Sequence, residues 1–238
     1  MDTKTEIGIK TKKEWDSKWD IFFDQYQQDL RYSYYLRAVL NSNEKKIIEI
    51  GAGSFRDTNA LNQMGIDCYG IDYSSNAVKL AKEKFPHISE KIFEQDAFNI
   101  SFPDKTFDLS FNNGFICYIS ENCDTVKLIK EQARISKYRI ITTFHNAHNI
   151  QFVEYFNTLK EKENWYQIRF HTMEEITELM SCVAKKIKII PVGKGKKYYE
   201  DDLINIGLSD AEYIRKSFEY HGLNLLESSE RLMCIGEL

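Results

Sequence analysis

Gly51 and Gly53, with an acid just before them and another well behind, are the residues of this chain best suited to hold a ligand. They follow Ile47-Ile48-Glu49-Ile50, a short apolar run that reads as a strand of a parallel sheet. Without a β-carbon the backbone can turn tightly there, and a ligand can approach it closely. A second apolar run, Cys68-Tyr69-Gly70-Ile71, ends in Asp72. An acid about 20 residues beyond a strand-to-helix glycine turn is placed to hydrogen-bond ribose hydroxyls. The spacing predicts a ligand that carries a nucleoside.

Positioning these groups needs strands that end together and helices that hold them apart. Helical spacing of Trp15, Trp19, Phe22, Phe23 and Tyr26 predicts a helix over 12–26, and a second covers 30–40. After the strand from Lys46, a helix over 57–64 stops at Gly65, and another over 76–85 is closed by Pro86. Strands are predicted at 91–94, 107–111 and 139–143, with a helix over 124–135 between the last two. Thr172-Met-Glu-Glu175 reads as a capping box that opens a helix reaching Cys182. A strand over 186–192, a helix over 210–220 and a strand over 231–235 complete the chain. This alternation predicts an α/β fold, a parallel sheet with helices on both faces. Residues 1–45 form an N-terminal helical cap on a domain over 46–238, with substrate-side insertions at 145–171 and 193–222.

Composition bounds the function. The 238 residues are 42% hydrophobic and 29% charged, with a net charge of −4, the balance of one globular domain without broad attraction to nucleic acid or anionic membrane. No apolar run approaches the roughly 20 residues of a membrane-spanning helix. The start, Met1-Asp2-Thr3-Lys4, does not read as a signal peptide. Five cysteines stand singly, which argues for reduced thiols in the cytoplasm and against a zinc site.

With these elements in place the chain resembles the class I S-adenosylmethionine-dependent methyltransferases. Three stretches carry the resemblance in order: Glu49-Ile-Gly51-Ala-Gly53-Ser-Phe55, then Gly70-Ile-Asp72-Tyr73-Ser74, then Gln95-Asp96-Ala97 followed by Phe102-Pro-Asp-Lys-Thr-Phe-Asp108. It implies a doubly wound, mostly parallel, seven-stranded Rossmann-like sheet that binds S-adenosylmethionine and releases S-adenosylhomocysteine. It also implies roles. Glu49, Gly51, Ala52 and Gly53 would line the methionine moiety and adenosine, and Asp72 would hold the ribose. Tyr73 would pack beside the adenine, Asp96 and Ala97 would bond its edge, and Asn112 or Asn113 would lie near the methionine amino group. Arg56 could meet the cofactor carboxylate, because its planar fork suits carboxylates. Two positions depart from the pattern: Phe55 replaces the third glycine, and Cys117-Tyr118 stands where a Glu-His pair is common. A nicotinamide dehydrogenase is disfavoured, since the third glycine of its fingerprint falls on Arg56.

Methyl transfer from a sulfonium needs alignment above all, and a base only where the acceptor arrives protonated. His145 and Tyr118 are the candidate catalytic residues. His145 follows a predicted strand end on the ligand-bearing edge, and histidine titrates near neutrality. Trp19, Tyr32, Tyr35 and His148 are candidate substrate contacts, the aromatic ones able to face a cation or an apolar molecule. His145 and His148 lack neighbouring ligands for a metal, so no metal is expected. Lys194-Gly-Lys196-Lys197 reads as a solvated basic loop. The expectation is a cytoplasmic monomer or homodimer that methylates nitrogen or oxygen of a small molecule, without nucleic-acid or membrane partners. A methyltransferase of RNA or protein, or a non-catalytic S-adenosylmethionine-binding module, are the alternatives.

Overall fold

The computed structural model describes residues 11–193 and 210–238. Helix α1 (Lys12–Phe22) opens at Thr11, whose hydroxyl accepts the Glu14 amide while Glu14 accepts the Thr11 amide. This capping box satisfies donors that a helix start otherwise leaves bare. A short 3-10 turn, Gln25–Gln27, takes up the end of the helix expected to reach Tyr26. Then come α2 (Arg31–Val39), β1 (Lys46–Ile50), α3 (Arg56–Gln63), β2 (Asp67–Asp72), α4 (Ser75–Lys84), β3 (Ile92–Glu94) and β4 (Phe107–Asn113). The rest is α5 (Asn122–Ile135), β5 (Ser136–Asn146), α6 (Ile150–Lys160), β6 (Phe170–His171), α7 (Met173–Ser181), β7 (Lys186–Val192), α8 (Ala211–His221) and β8 (Arg231–Glu237). The basic run at 194–197 and most of the 193–222 insertion lie outside the described residues.

Seven strands lie in the order β3-β2-β1-β4-β5-β8-β7, and the two-residue β6 pairs with β5 as an eighth. β1 to β6 pair in parallel, whereas β8 runs antiparallel between β5 and β7. Chain order reverses between β1 and β4, and in open α/β sheets ligands bind at that reversal, outside the carboxyl ends of the strands. The capping box of α7 forms as the sequence predicts, with Thr172 accepting the Glu175 amide.

Alternate residues of each strand supply the two layers of core. Ile48, Ile50 and Phe107 pack with Leu128 and Ile129 of α5 and Leu179 of α7. Ile47, Leu109 and Phe111 pack on the other face with Leu36 of α2, Leu61 of α3 and Phe218 of α8. A third cluster fixes α1, with Trp19 and Phe23 against Ala77, Val78 and Ala81 of α4. Polar bonds pin the same contact, because the Ser74 hydroxyl (2.6 Å) and the Asn76 amide (3.2 Å) both donate to Asp16 of α1.

β5 is longer than the 139–143 read from sequence. It extends through His145, which pairs with Arg231 of β8 on one side and Phe170 of β6 on the other. His145 is thus a strand residue between neighbours, not a loop residue.

Candidate active site

A cleft of about 1360 Å³ opens at the carboxyl ends of β1, β2, β4 and β5. Single small-molecule pockets occupy roughly 300–1,000 Å³, so two ligands can sit side by side here. Its floor is the turn after β1. Gly51 and Gly53 are left-handed, at φ 66° and 55°. A β-carbon on Gly51 would lie 2.8 Å from the Phe115 ring, and one on Gly53 would lie 2.3 Å from the Trp19 indole. The turn needs glycine twice over, for its dihedral angles and for the rings laid on it. Ala52 lines the cleft beside them, its amide bonded to the Ile71 carbonyl at 2.9 Å.

Asp72 faces this turn from the end of β2. One carboxylate oxygen accepts the Gly53 amide at 2.7 Å and the other the Ser74 amide at 2.9 Å. Each oxygen keeps capacity for a further donor from the cleft. Burial raises the Asp72 pKa to about 6 despite these amides. Tyr73 stands half exposed at the rim, with the Lys12 ammonium 5.2 Å from its ring centre. Asp96 and Ala97 line the same end, Asp96 accepting the Phe98 amide at 2.9 Å. These groups fit an adenosine: a carboxylate with spare lone pairs, a glycine turn that lines the cleft and a half-exposed aromatic ring share one wall.

Phe55 settles how the missing third glycine is accommodated. It adopts the left-handed geometry that glycine would supply, at φ 52°, and caps the start of α3. Its fully buried ring does not line the cleft, and packs where a β-carbon on Gly70 would come within 2.7 Å of it. The phenyl group fills the layer between the turn and β2, leaving the ligand side open.

A buried polar cluster stands behind the turn. Glu49 accepts the Thr58 amide (2.9 Å) and hydroxyl (2.6 Å) and so ties α3 to β1. Burial and the neighbouring Asp57 charge raise its pKa to about 8. Asp57, which stands beside Arg56 in the motif but was assigned no role there, accepts from Ser33 (2.6 Å), Arg56 (2.9 Å) and Asn113 (2.9 Å). Arg56 is largely committed, with further donations to Asp57 and to the Tyr26 carbonyl at 3.1 Å. Sequence spacing gave no sign of this hub, which forms only when α2, α3 and β4 come together.

Three expected site residues need correction. Asn112 is fully buried, and its amide donates to Gln132 (3.1 Å) and Thr142 (3.3 Å). Strand alternation turns it away from the cleft and places Asn113 there instead. His148 accepts the Met173 amide at 3.0 Å, satisfying the start of α7, and does not line the cleft. His145 does line it, but not as a proton acceptor. Its Nδ1 lies 2.8 Å from the Arg231 guanidinium, which can only donate, so the neutral ring carries its proton on Nε2. Burial first, then the Arg231 charge, hold its pKa well below the ordinary histidine value. Phe152, Phe156 and Phe170 surround the ring.

A pH dependence follows from this. His145 is held well below 6.5, and burial takes His171 to about 4. The unfolded chain binds these protons near pH 6.5, so stability from both groups is full above that value and declines as pH falls toward 4. Thermal melts should show a lower Tm at pH 5 than at pH 7.5. His145→Asn, which keeps an acceptor for Arg231, should narrow that difference; an unaltered pH dependence would remove His145 from the account.

The remaining candidates line the outer cleft. Trp19 is buried on Gly53, and among the described residues its indole N–H has no hydrogen-bond partner. The Tyr32 hydroxyl accepts from Thr143 at 2.6 Å and donates to the Asn112 carbonyl at 3.3 Å. Tyr35 packs edge-on to Phe218, with ring centres 5.6 Å apart. Both are more structural than the sequence reading expected. The Tyr118 hydroxyl accepts from Lys18 at 3.2 Å, and burial holds it protonated, its pKa well above the ordinary tyrosine value. Lys18, Trp165 and Arg231 also line the cleft and were not anticipated, since each lies outside the motifs and arrives through tertiary packing. Among the described residues no group of three His, Cys, Asp or Glu could hold a metal ion, and no helix is long and apolar enough to cross a membrane.

Comparison with known proteins agrees with this architecture. Residues 48–139 match a family model described as a methyltransferase domain. A protein of Invertebrate iridescent virus 6 named as a methyltransferase, 235L, is 24% identical over 157 residues, spanning 63% of this chain and 56% of its own length. The chain thus spans little more than half of that relative. A structure from Thermotoga maritima, described as an S-adenosylmethionine-dependent methyltransferase and possible histamine N-methyltransferase, aligns over 92% of this chain and 99% of its own (TM-score 0.62, 19% identity). Geranyl diphosphate C-methyltransferase from Streptomyces coelicolor, solved with S-adenosylhomocysteine, aligns over 95% and 82% (TM-score 0.52, 15% identity). Residues 48–139, with the glycine turn and Asp72 at the reversal of the sheet, therefore match a methyltransferase domain, carried on a Rossmann-like fold shared with S-adenosylmethionine-dependent methyltransferases.

Proposed function

We propose that the chain is a methyltransferase that uses S-adenosylmethionine to methylate nitrogen or oxygen of a small molecule. The observation that carries this reading is Asp72, a carboxylate with spare lone pairs bonded to the glycine turn inside a cleft large enough for two ligands. When bound, S-adenosylmethionine supplies a methyl group activated by a positively charged sulfur. Gly51, Ala52 and Gly53 offer backbone, Asp72 accepts from the ribose, and Asp96 with Ala97 meets the adenine edge. Trp19 and Phe115, laid over the two glycines, keep water from that wall.

The acceptor class is read from the cleft and not from the fold, which also serves the carbon acceptor of geranyl diphosphate C-methyltransferase. Tyr118 and Cys117 are held protonated by burial, and the Nδ1 of His145 is engaged. None of the three readily takes a proton, which favours an acceptor atom that already has a free lone pair, an uncharged nitrogen above all. α1 roofs the cleft with Trp15 and Trp19, which supports a small molecule over an RNA or a protein surface. The position of Phe55 supports binding over a closed, non-catalytic pocket. A cytoplasmic setting, consistent with five unpaired thiols, and a monomer or homodimer belong to the same reading.

Calorimetric titration with S-adenosylmethionine and S-adenosylhomocysteine tests it first, with micromolar binding of both expected. Transfer from isotopically labelled donor to a panel of amines, phenols, RNA and peptides then sorts the acceptors. Absence of binding at high micromolar donor would end this reading, and label appearing only in RNA or peptide would end its small-molecule part.

A further inference from the structure

We propose that the outer end of the cleft is a recognition site for an organic cation, and that Lys18 occupies it as an internal stand-in. The Lys18 ammonium lies 4.4 Å from the ring centre of Trp165, 5.3 Å from Tyr118, 5.4 Å from Trp15 and 5.9 Å from Tyr26. The rings brace one another, Trp15 standing at 90° to Tyr118 (centres 4.9 Å apart) and at 62° to Trp165 (5.2 Å). They come from α1, the turn at Gln25–Gln27, the turn at Ile116–Tyr118 and the turn at Asn164–Tyr166. Four separate segments thus converge on one charge. Lys18 is 7% exposed, a strongly hydrated ammonium drawn from water into ring faces.

Ring faces carry negative potential and attract cations most strongly where water is excluded, and quaternary or methylated ammonium groups are the ligands such boxes suit best. A lysine ammonium is a poorer fit, because it gives up more hydration on entry. Its four-carbon stem lets it leave. The box also adjoins the cofactor wall. Trp19, the next residue of α1, lies on Gly53, and Phe115, three residues before Tyr118, lies on Gly51.

Calling this cation the methyl acceptor rests on the methyltransferase reading; the box itself does not. An ammonium held as a cation has no lone pair to give. The charge is therefore a handle, and the acceptor atom is a second, uncharged nitrogen or oxygen of the same molecule.

The test is binding to the full chain, followed by tryptophan fluorescence and calorimetry. The probes are tetramethylammonium, choline and the neutral isostere of choline, 3,3-dimethylbutan-1-ol. Lys18→Met should bind tetramethylammonium on the order of tenfold more tightly than the wild type, and adding Trp165→Leu should cancel the gain. Choline should bind more tightly than the isostere by a similar factor. Lys18→Gln serves as a second variant should the first fail to fold. Equal binding by wild type and both Lys18 variants, or equal binding of choline and its isostere, would overturn the proposal. So would an acetate or benzoate site lost with Lys18, which would make the lysine a permanent receptor for anions. S-adenosylmethionine is titrated in parallel. If it competes with tetramethylammonium, the box belongs to the donor's sulfonium and the proposal falls. If it fails to bind while the cation binds, the box stands and the methyltransferase reading falls.

Discussion

Asp72→Ala should weaken S-adenosylmethionine binding by about 100-fold, with the fold kept. Hydrogen bonds to a charged group contribute roughly 1.5–3 kcal/mol each, and the loss of two costs about 3 kcal/mol or more, two decades in Kd. The pH profile sharpens the expectation. With a folded-state pKa of about 6, Asp72 is ionised at pH 8 and largely protonated at pH 5. Wild-type affinity should therefore fall as pH drops through about 6. Asp72→Asn should be weak at every pH and lose that inflection. Stability moves the other way. The folded pKa is raised above the unfolded value of 3.8, so the contribution of Asp72 is full below that value and declines as pH rises through 6. The carboxylate is most useful to a ligand where it costs the empty protein most. Calorimetry from pH 5 to 8, beside thermal melts without ligand, measures both slopes. Undiminished affinity in Asp72→Ala would refute the ribose assignment.

Phe55→Ala should produce the largest loss of stability, about 3–5 kcal/mol, the usual cost of emptying a fully buried phenyl site. For a chain of this size that lowers Tm by roughly 10 °C. Phe55→Gly should fare better by about 1 kcal/mol, because glycine removes the left-handed strain at φ 52°. Gly70→Ala should also destabilise, since its methyl group would meet both Phe55 (2.7 Å) and the Thr58 hydroxyl (2.6 Å). Combined with Phe55→Ala, the Gly70 change should cost less than it does alone, because half of the obstruction has gone. Urea denaturation of the two single variants and the double variant gives the coupling, and strict additivity would show that the two sites do not share that space.

The layers of the sheet and the meeting of the glycine turn with Asp72 could be read from local pattern alone. Ile47 and Ile48 point to opposite faces, as an alternating strand requires, and Gly51, Gly53 and Asp72 stand within one turn of each other as their spacing predicts. What escaped was set by pairing between distant segments. His145 looked like a loop residue because nothing local says that β5 continues to Asn146; the flanking strands β6 and β8 decide it. Asn112 and Asn113 cannot be told apart in composition, and strand parity alone sends one inward and the other to the cleft. The box around Lys18 draws on residues up to 150 positions apart, from Trp15 to Trp165, and no motif spans that distance. The aromatic richness of 15–35 was visible at once, but not which ring would face what.

The packing of Phe55 against Gly70 also constrains how such a sequence can change over generations. A lineage holding phenylalanine at the turn loses stability on gaining a β-carbon at the facing strand position. Shrinkage at 55 removes only one of the two obstructions, the Thr58 hydroxyl being the other, so positions 55, 58 and 70 trade bulk together.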